Sequence, residues 1–242
     1  MTIDLEGFVY YSNQADTVES LFKVFEEAMS SLGFDRILLA LMTNHPSLKK
    51  EAEHGIVKNY PESWVSYYLE KKYDEIDPVR LWSFTRTGVY TWNEIIESGS
   101  LSKQQIQMFK EAEESGLYNG LGVALRGSGG AVAALGAAST DRHIDKSPFV
   151  LDKVNLMANQ FYICFWRLME SRHTLSTVTL TSRECDILKW AAKGLTKTDI
   201  GARLNISHHT VDYHVRNILR KLDARNMVAA IFVALNLGLI QI

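Results

Sequence analysis

Between Leu180 and Leu222 the apolar positions recur at helical spacing in three short runs separated by two tight turns. Thr181 with Glu184 three positions later has the pattern of a capping box, after which Ile187, Leu188 and Ala191 share one face and Gly194 supplies a stop. Thr196 with Asp199 repeats the start signal for a second helix carrying Ile200 and Leu204, and Asn205-Ile206-Ser207 turns into a third. On that third helix Val211, Val215, Ile218 and Leu222 gather on one side, and His209, Asp212, Tyr213, Arg216 and Arg220 on the other. Two capped helices leading into a helix with a basic outer face predict a helix-turn-helix that meets double-stranded DNA. A fourth helix is expected from Asn226 to about Gly238, with Val228, Ile231, Phe232 and Leu235 available for a contact with a second copy.

Upstream the pattern changes to mixed helix and strand. Leu21, Phe22, Phe25, Met29 and Leu32 mark a helix from Val18 to Gly33, and Arg36 to Thr43 is an apolar run of strand length. Leu121 to Arg126 and Ala131 to Ser139 predict two strands joined as a hairpin through Gly127-Ser-Gly-Gly130. That glycine-rich turn has neither the following helix nor the Lys-Ser/Thr of a phosphate loop. Pro148 then opens a long helix to about Arg172. These elements predict an α+β chain in two domains, residues 1–170 and 179–242, with 171–178 as linker.

Charge sharpens this division. The chain has a formal net charge of −2, but residues 175–242 carry nine Lys/Arg against five Asp/Glu, so the basic excess sits where DNA contact is predicted. Met1-Thr-Ile-Asp-Leu-Glu lacks the basic start of a secretory signal, and no apolar run approaches a membrane span, so a cytoplasmic protein without membrane contact is expected. The two cysteines, Cys164 and Cys185, read as reduced thiols. No cofactor or metal is expected, because His208 and His209 lack any zinc-ligand spacing around them.

On the DNA-facing helix, Arg216 is the leading candidate for a base-edge contact, since a guanidinium can bond guanine O6 and N7 together. Lys197, Thr210 and Arg220 suit phosphate positioning. The ordered set Leu180-Thr-x-x-Glu184, Gly194, Ile200, Thr210-Val211, His214, Asn217-Ile218 and Lys221-Leu222 resembles the LuxR-type DNA-binding module.

A second segment carries its own resemblance. Tyr60, Trp64, Tyr68, Asp77-Pro78 and Trp92 are arranged as in the N-acyl-homoserine-lactone pocket of quorum-sensing LuxR-type receptors. Trp64 and Tyr68 lie one helical turn apart, and Asp77-Pro78 makes a rigid extended corner. The resemblance implies that the Trp64 indole donates to the lactone carbonyl, that Asp77 accepts the ligand amide N–H and that Tyr60 donates to the acyl carbonyl. Trp92 and Tyr68 would wall the ring, and Leu38, Ala40, Met42, Ile56, Val79, Leu117 and Gly120 would line the tail or pack beside it. It further implies an N-terminal α/β/α sandwich, an all-α four-helix DNA-binding domain, a homodimer on an inverted-repeat promoter site and RNA polymerase as a partner.

One position departs from the pattern. Several receptors of this type place Ser or Thr where Gly136 falls, and Gly136 has no hydroxyl to offer the acyl carbonyl. Tail length and 3-substitution stay open, as does a LuxR-type solo regulator sensing a different small molecule. A response regulator would need a phosphoacceptor Asp within an alternating βα receiver, and an enzyme a nucleophile elbow or metal run; the chain offers neither.

Overall fold

The computed structural model describes residues 3–45, 48, 50–127, 130–170 and 178–241. Contacts divide these into two compact units, one holding the elements of the N-terminal part and the other those of the C-terminal part. The expected linker lies almost wholly at 171–177, outside the described residues.

The first unit is organised by an antiparallel sheet of five strands: β1 (Arg36–Leu41), β2 (Glu53–Lys58), β3 (Gly88–Thr91), β4 (Tyr118–Arg126) and β5 (Val132–Ser139), in the order β2-β1-β5-β4-β3. Strand periodicity sends alternate side chains to opposite faces. Ile37, Leu39, Leu41, Ala133, Leu135 and Ala137 enter a core with α1 (Leu5–Gln14), α2 (Val18–Ser31) and α8 (Pro148–Glu170), whose Phe8, Phe25 and Phe161 are fully buried. The other face is covered by α3 (Glu62–Glu70), α4 (Tyr73–Ile76), α5 (Pro78–Thr85), α6 (Trp92–Glu97) and α7 (Lys103–Glu114), which enclose a second core around Trp64, Tyr68, Ile95 and Phe109. This is the α/β/α sandwich expected from the sequence, and β4 and β5 form the expected hairpin pair.

Residues 59–92 do more than turn a corner. Asp77, with φ −57° and ψ 114°, is held out of the helical region, as a residue before proline should be, and is the N-cap of α5, with Pro78 in the first helical turn. The α1, α4, α5, α6 and α7 helices and strands β2 and β3 were not read from the sequence.

The second unit has α9 (Ser182–Ala192), α10 (Lys197–Leu204), α11 (His208–Lys221) and α12 (Met227–Asn236) around Ile187, Leu188, Ile200, Val211, Val215 and Ile218. Thr181–Glu184 and Thr196–Asp199 form their capping boxes, Asn205 takes the left-handed conformation at the turn, and Ser207 caps α11 by accepting from the Thr210 N–H. The all-α four-helix arrangement agrees with the sequence reading.

Candidate ligand pocket and nucleic-acid interface

Nine of the thirteen pocket positions expected from sequence line one cavity between the sheet and α3–α7: Leu38, Ala40, Tyr60, Trp64, Tyr68, Asp77, Val79, Trp92 and Gly136. Ile56 is not among its lining residues and packs against the core on the other face. The reason is a bulge: β1 Leu39 pairs with Val57 but Leu41 pairs with Glu53, so residues 54–56 stand opposite Ala40 alone; Ile56 is turned out of the cavity there, while His54 keeps its place in the wall. Met42, Leu117 and Gly120 are also absent from the wall. Leu117 belongs to the neighbouring core, and Gly120 lies under Trp92 so closely that a Cβ there would stand 1.9 Å from indole Cε2.

One ionisable carboxylate gives the cavity its direction. Asp77 is buried, accepts 2.7 Å hydrogen bonds from the Tyr68 hydroxyl and the Val79 N–H, and has its carboxyl pushed up by that burial, an effect the two hydrogen bonds oppose. Burial also holds the Tyr60 phenol well above its ordinary value, so it remains a donor at neutral pH. Among the described residues neither the Tyr60 hydroxyl nor the Trp64 indole N–H has a hydrogen-bond partner. The cavity thus combines two available donors, a buried acceptor and an apolar trough formed by Leu38, Ala40, Val79, Met108, Phe109 and Ala134.

Gly136 faces this trough. A Cβ there would approach only the Leu38 carbonyl, at 4.0 Å. The nearby hydroxyls do not compensate: Ser139 accepts from the Asp141 N–H, and Thr140 donates to Asp35.

On α11, His209, Tyr213, Arg216 and Arg220 are exposed, while Val211, Val215 and Ile218 are buried, as the helical wheel requires. Four of the expected DNA residues are already engaged. Lys197 Nζ lies 2.6 Å from Asp212, which also faces His208 at 3.4 Å, and the Lys197 hydrogen bond holds the Asp212 carboxyl below its usual range. Thr210 Oγ1 shares a 2.8 Å hydrogen bond with Ser207 at the start of the helix, and Arg220 donates to Asn217. Lys221, part of the LuxR-type pattern in the sequence, pairs at 2.7 Å with Glu184, a carboxylate only 2% exposed.

Residues 17–164 match the autoinducer binding domain, and residues 178–234 match the bacterial regulatory proteins of the luxR family. The chain belongs to that family. The SolR transcriptional activator of Ralstonia nicotianae is 32% identical over 93% of this chain and 94% of its own, and the quorum-sensing regulator RhlR of Pseudomonas aeruginosa is 29% identical over 92% and 90%. The crystal structure of Escherichia coli SdiA matches with a TM-score of 0.74 at 26% identity, covering 98% of both chains, and SdiA in complex with octanoyl-rac-glycerol matches at 0.71, covering 96% of this chain and 93% of that one. As a luxR-family protein the chain is an autoinducer-binding regulator with a DNA-binding helix-turn-helix domain, not a member of an enzyme family. No helix among the described residues is long and apolar enough to cross a membrane.

Two cavity residues escaped the sequence reading, His54 and Arg80. Burial and the adjacent Arg80 charge pull the His54 imidazole down to about 4, so the ring is neutral; it stacks 5.1 Å from the Tyr68 ring and its Nδ1 meets Arg80. Only the Asp-Pro helix start at 77–78 placed Arg80 within reach, and no signal in the sequence marked His54.

Proposed function

We propose that this regulator binds an N-acyl-homoserine lactone in its N-terminal unit and an inverted-repeat promoter site, as a homodimer, through its C-terminal unit. The observation that carries the ligand reading is the pairing of the buried Asp77 carboxylate with the available Trp64 and Tyr60 donors at the head of an apolar trough. An acyl lactone has the complementary groups: an amide N–H for Asp77, a ring carbonyl for Trp64, an acyl carbonyl for Tyr60 and a chain for the trough. Enclosing the chain completes the core, and a ligand that binds only the folded state raises its population by mass action. Self-association is supported by the apolar outer positions of α12, where Val228 is 77% and Phe232 65% exposed. RNA polymerase is the partner through which such a factor, bound at a promoter, would act.

A second reading has a specific observation in its favour. The octanoyl-rac-glycerol complex of SdiA shows that a relative of this fold holds an acyl glycerol, so a signal of that kind, as for a solo regulator, is the alternative. Mass spectrometry of small molecules extracted from the purified protein, followed by thermal titration with lactones and acyl glycerols, separates them. A lactone in the extract and lactone-dependent stabilisation are expected; stabilisation by acyl glycerols alone would replace the first reading with the second.

A further inference from the structure

Arg80 is an unusual wall for an acyl trough. Arg80 lines the cavity together with Leu38, Ala40 and Val79, and its Nε is buried with no hydrogen-bond partner among the described residues. Arg36 Nε is similarly buried and unpartnered, but Arg36 is tied to Asp35 and lies outside the cavity wall. A buried donor without an acceptor costs stability, and the cost is larger when the group is charged. Nor is Arg80 held there by chance packing. Its Nη1 meets Nδ1 of His54, whose ring is stacked on Tyr68, whose hydroxyl in turn donates to Asp77. A neutral His54 can accept from the guanidinium through Nδ1, and of the group's buried nitrogens Nε is left without an acceptor.

We propose that Arg80, held in place by His54, is a specificity-determining residue that selects ligands whose acyl chain carries an oxygen acceptor, an oxo or hydroxyl group, over unsubstituted chains of the same length. This rests on the lactone reading above and deepens it. The Arg80 charge does not call for an anionic tail, because Asp77 lies close enough for the two to interact electrostatically; a neutral oxygen is sufficient for Nε. The linkage from Arg80 through His54 and Tyr68 to Asp77 also places the selecting donor on the same polar cluster that would hold the ligand amide. An oxygen near the amide end of the chain, as in 3-oxo and 3-hydroxy acyl lactones, is the complementary group.

The test uses the full-length protein and matched sets of unsubstituted, 3-hydroxy and 3-oxo acyl-homoserine lactones of several chain lengths, with affinities measured by thermal titration. Wild type should bind the substituted member of a set about ten-fold or more tightly than the unsubstituted one. Arg80→Met should erase that preference, weakening the substituted lactones by about ten-fold more than the plain ones. If Arg80→Met does not accumulate as folded protein by circular dichroism, Arg80→Lys serves instead: it keeps the charge, lacks Nε, and should still lose most of the preference. Lactone binding with the same rank order in wild type and variant would overturn the role of Arg80 alone. Absence of binding by any lactone in the wild type would overturn the lactone reading and this proposal with it.

Discussion

The Tyr68 hydroxyl donates to Asp77 Oδ2 at 2.7 Å, while Asp77 Oδ1 receives the Val79 N–H. The carboxylate is therefore oriented before any ligand arrives, one oxygen by a side chain on α3 and the other by the first turn of the helix it caps. Asp77→Ala should lower lactone affinity by about 1.5–3 kcal/mol, because a hydrogen bond to a charged acceptor is lost. Trp64→Phe should weaken binding through loss of one donor while keeping the apolar wall. Tyr68→Phe should cost less than Asp77→Ala, since the Val79 N–H still orients the carboxylate. Thermal titration with a lactone panel checks the order, and equal ligand shifts in all three variants and the wild type would remove these residues from the site.

Two glycines in neighbouring strands make opposite predictions. At Gly120 a Cβ would overlap the Trp92 indole, so Gly120→Ala should destabilise the first unit by about 1–3 kcal/mol and displace a cavity wall. At Gly136 the nearest atom to a Cβ is 4.0 Å away, so Gly136→Ser should fold with near wild-type stability. Its new hydroxyl enters the trough, and the rank order of lactones should change. Denaturant unfolding measures the first effect and a ligand panel the second; an unchanged rank order for Gly136→Ser would mean that the trough is not where the acyl chain lies.

Residues whose role depends on local spacing were legible in the sequence. Trp64 and Tyr68 share a face because they are four apart on a helix, and the α9–α11 boundaries follow from capping side chains at fixed offsets. What depends on non-local pairing was not. Ile56 would follow the alternation of β2 into the cavity beside His54, but it lies in the bulge opposite Leu39 and Leu41 and is turned to the other face. Arg80 and Lys221 look in sequence like solvated charges; only the packing of α5 against the sheet, and of α11 against α9, encloses them. The short helices α4 and α6, of 4 and 6 residues, carry too few turns for a periodic signal.

Glu184 joins α9 to the end of α11. It accepts from the Thr181 N–H and Lys221 Nζ, both at 2.7 Å, and although burial alone would raise its carboxyl, these bonds bring it below the ordinary value. A carboxyl depressed in the folded state contributes stability that is present above its unfolded value and lost as pH falls through the folded one. Lys221 keeps 31% of its side-chain exposure, so the pair is partly screened, and Lys221→Met should destabilise the second unit by about 1–3 kcal/mol rather than more. Glu184→Gln should flatten the acid limb of the stability profile. Chemical unfolding of wild type, both variants and the double variant across acidic pH gives the coupling; additive effects would show that the pair contributes nothing of its own.

The DNA interface is set by which charges on α10 and α11 are free. Arg216 is exposed on the outer face of α11, whereas Lys197 is bound to Asp212. If Arg216 reads a base edge, Arg216→Ala should cost about 1–3 kcal/mol on the selected site and relax one base position in each half-site. Lys197→Ala should weaken all duplexes alike and flatten the salt dependence, because it removes a phosphate partner and leaves Asp212 without its counter-charge facing the backbone. Asp212→Ala should do the reverse, freeing Lys197 and raising affinity for unrelated duplexes. A symmetric dimer with one recognition helix in each major groove demands half-sites about 10 bp apart, centre to centre. Selection from a random duplex pool with wild type and the three variants reads all of these at once. Recovery of unpaired half-sites by the wild type would defeat the dimer, and an unaltered motif for Arg216→Ala would transfer base reading to His209, Asp212 or Tyr213 on the same face.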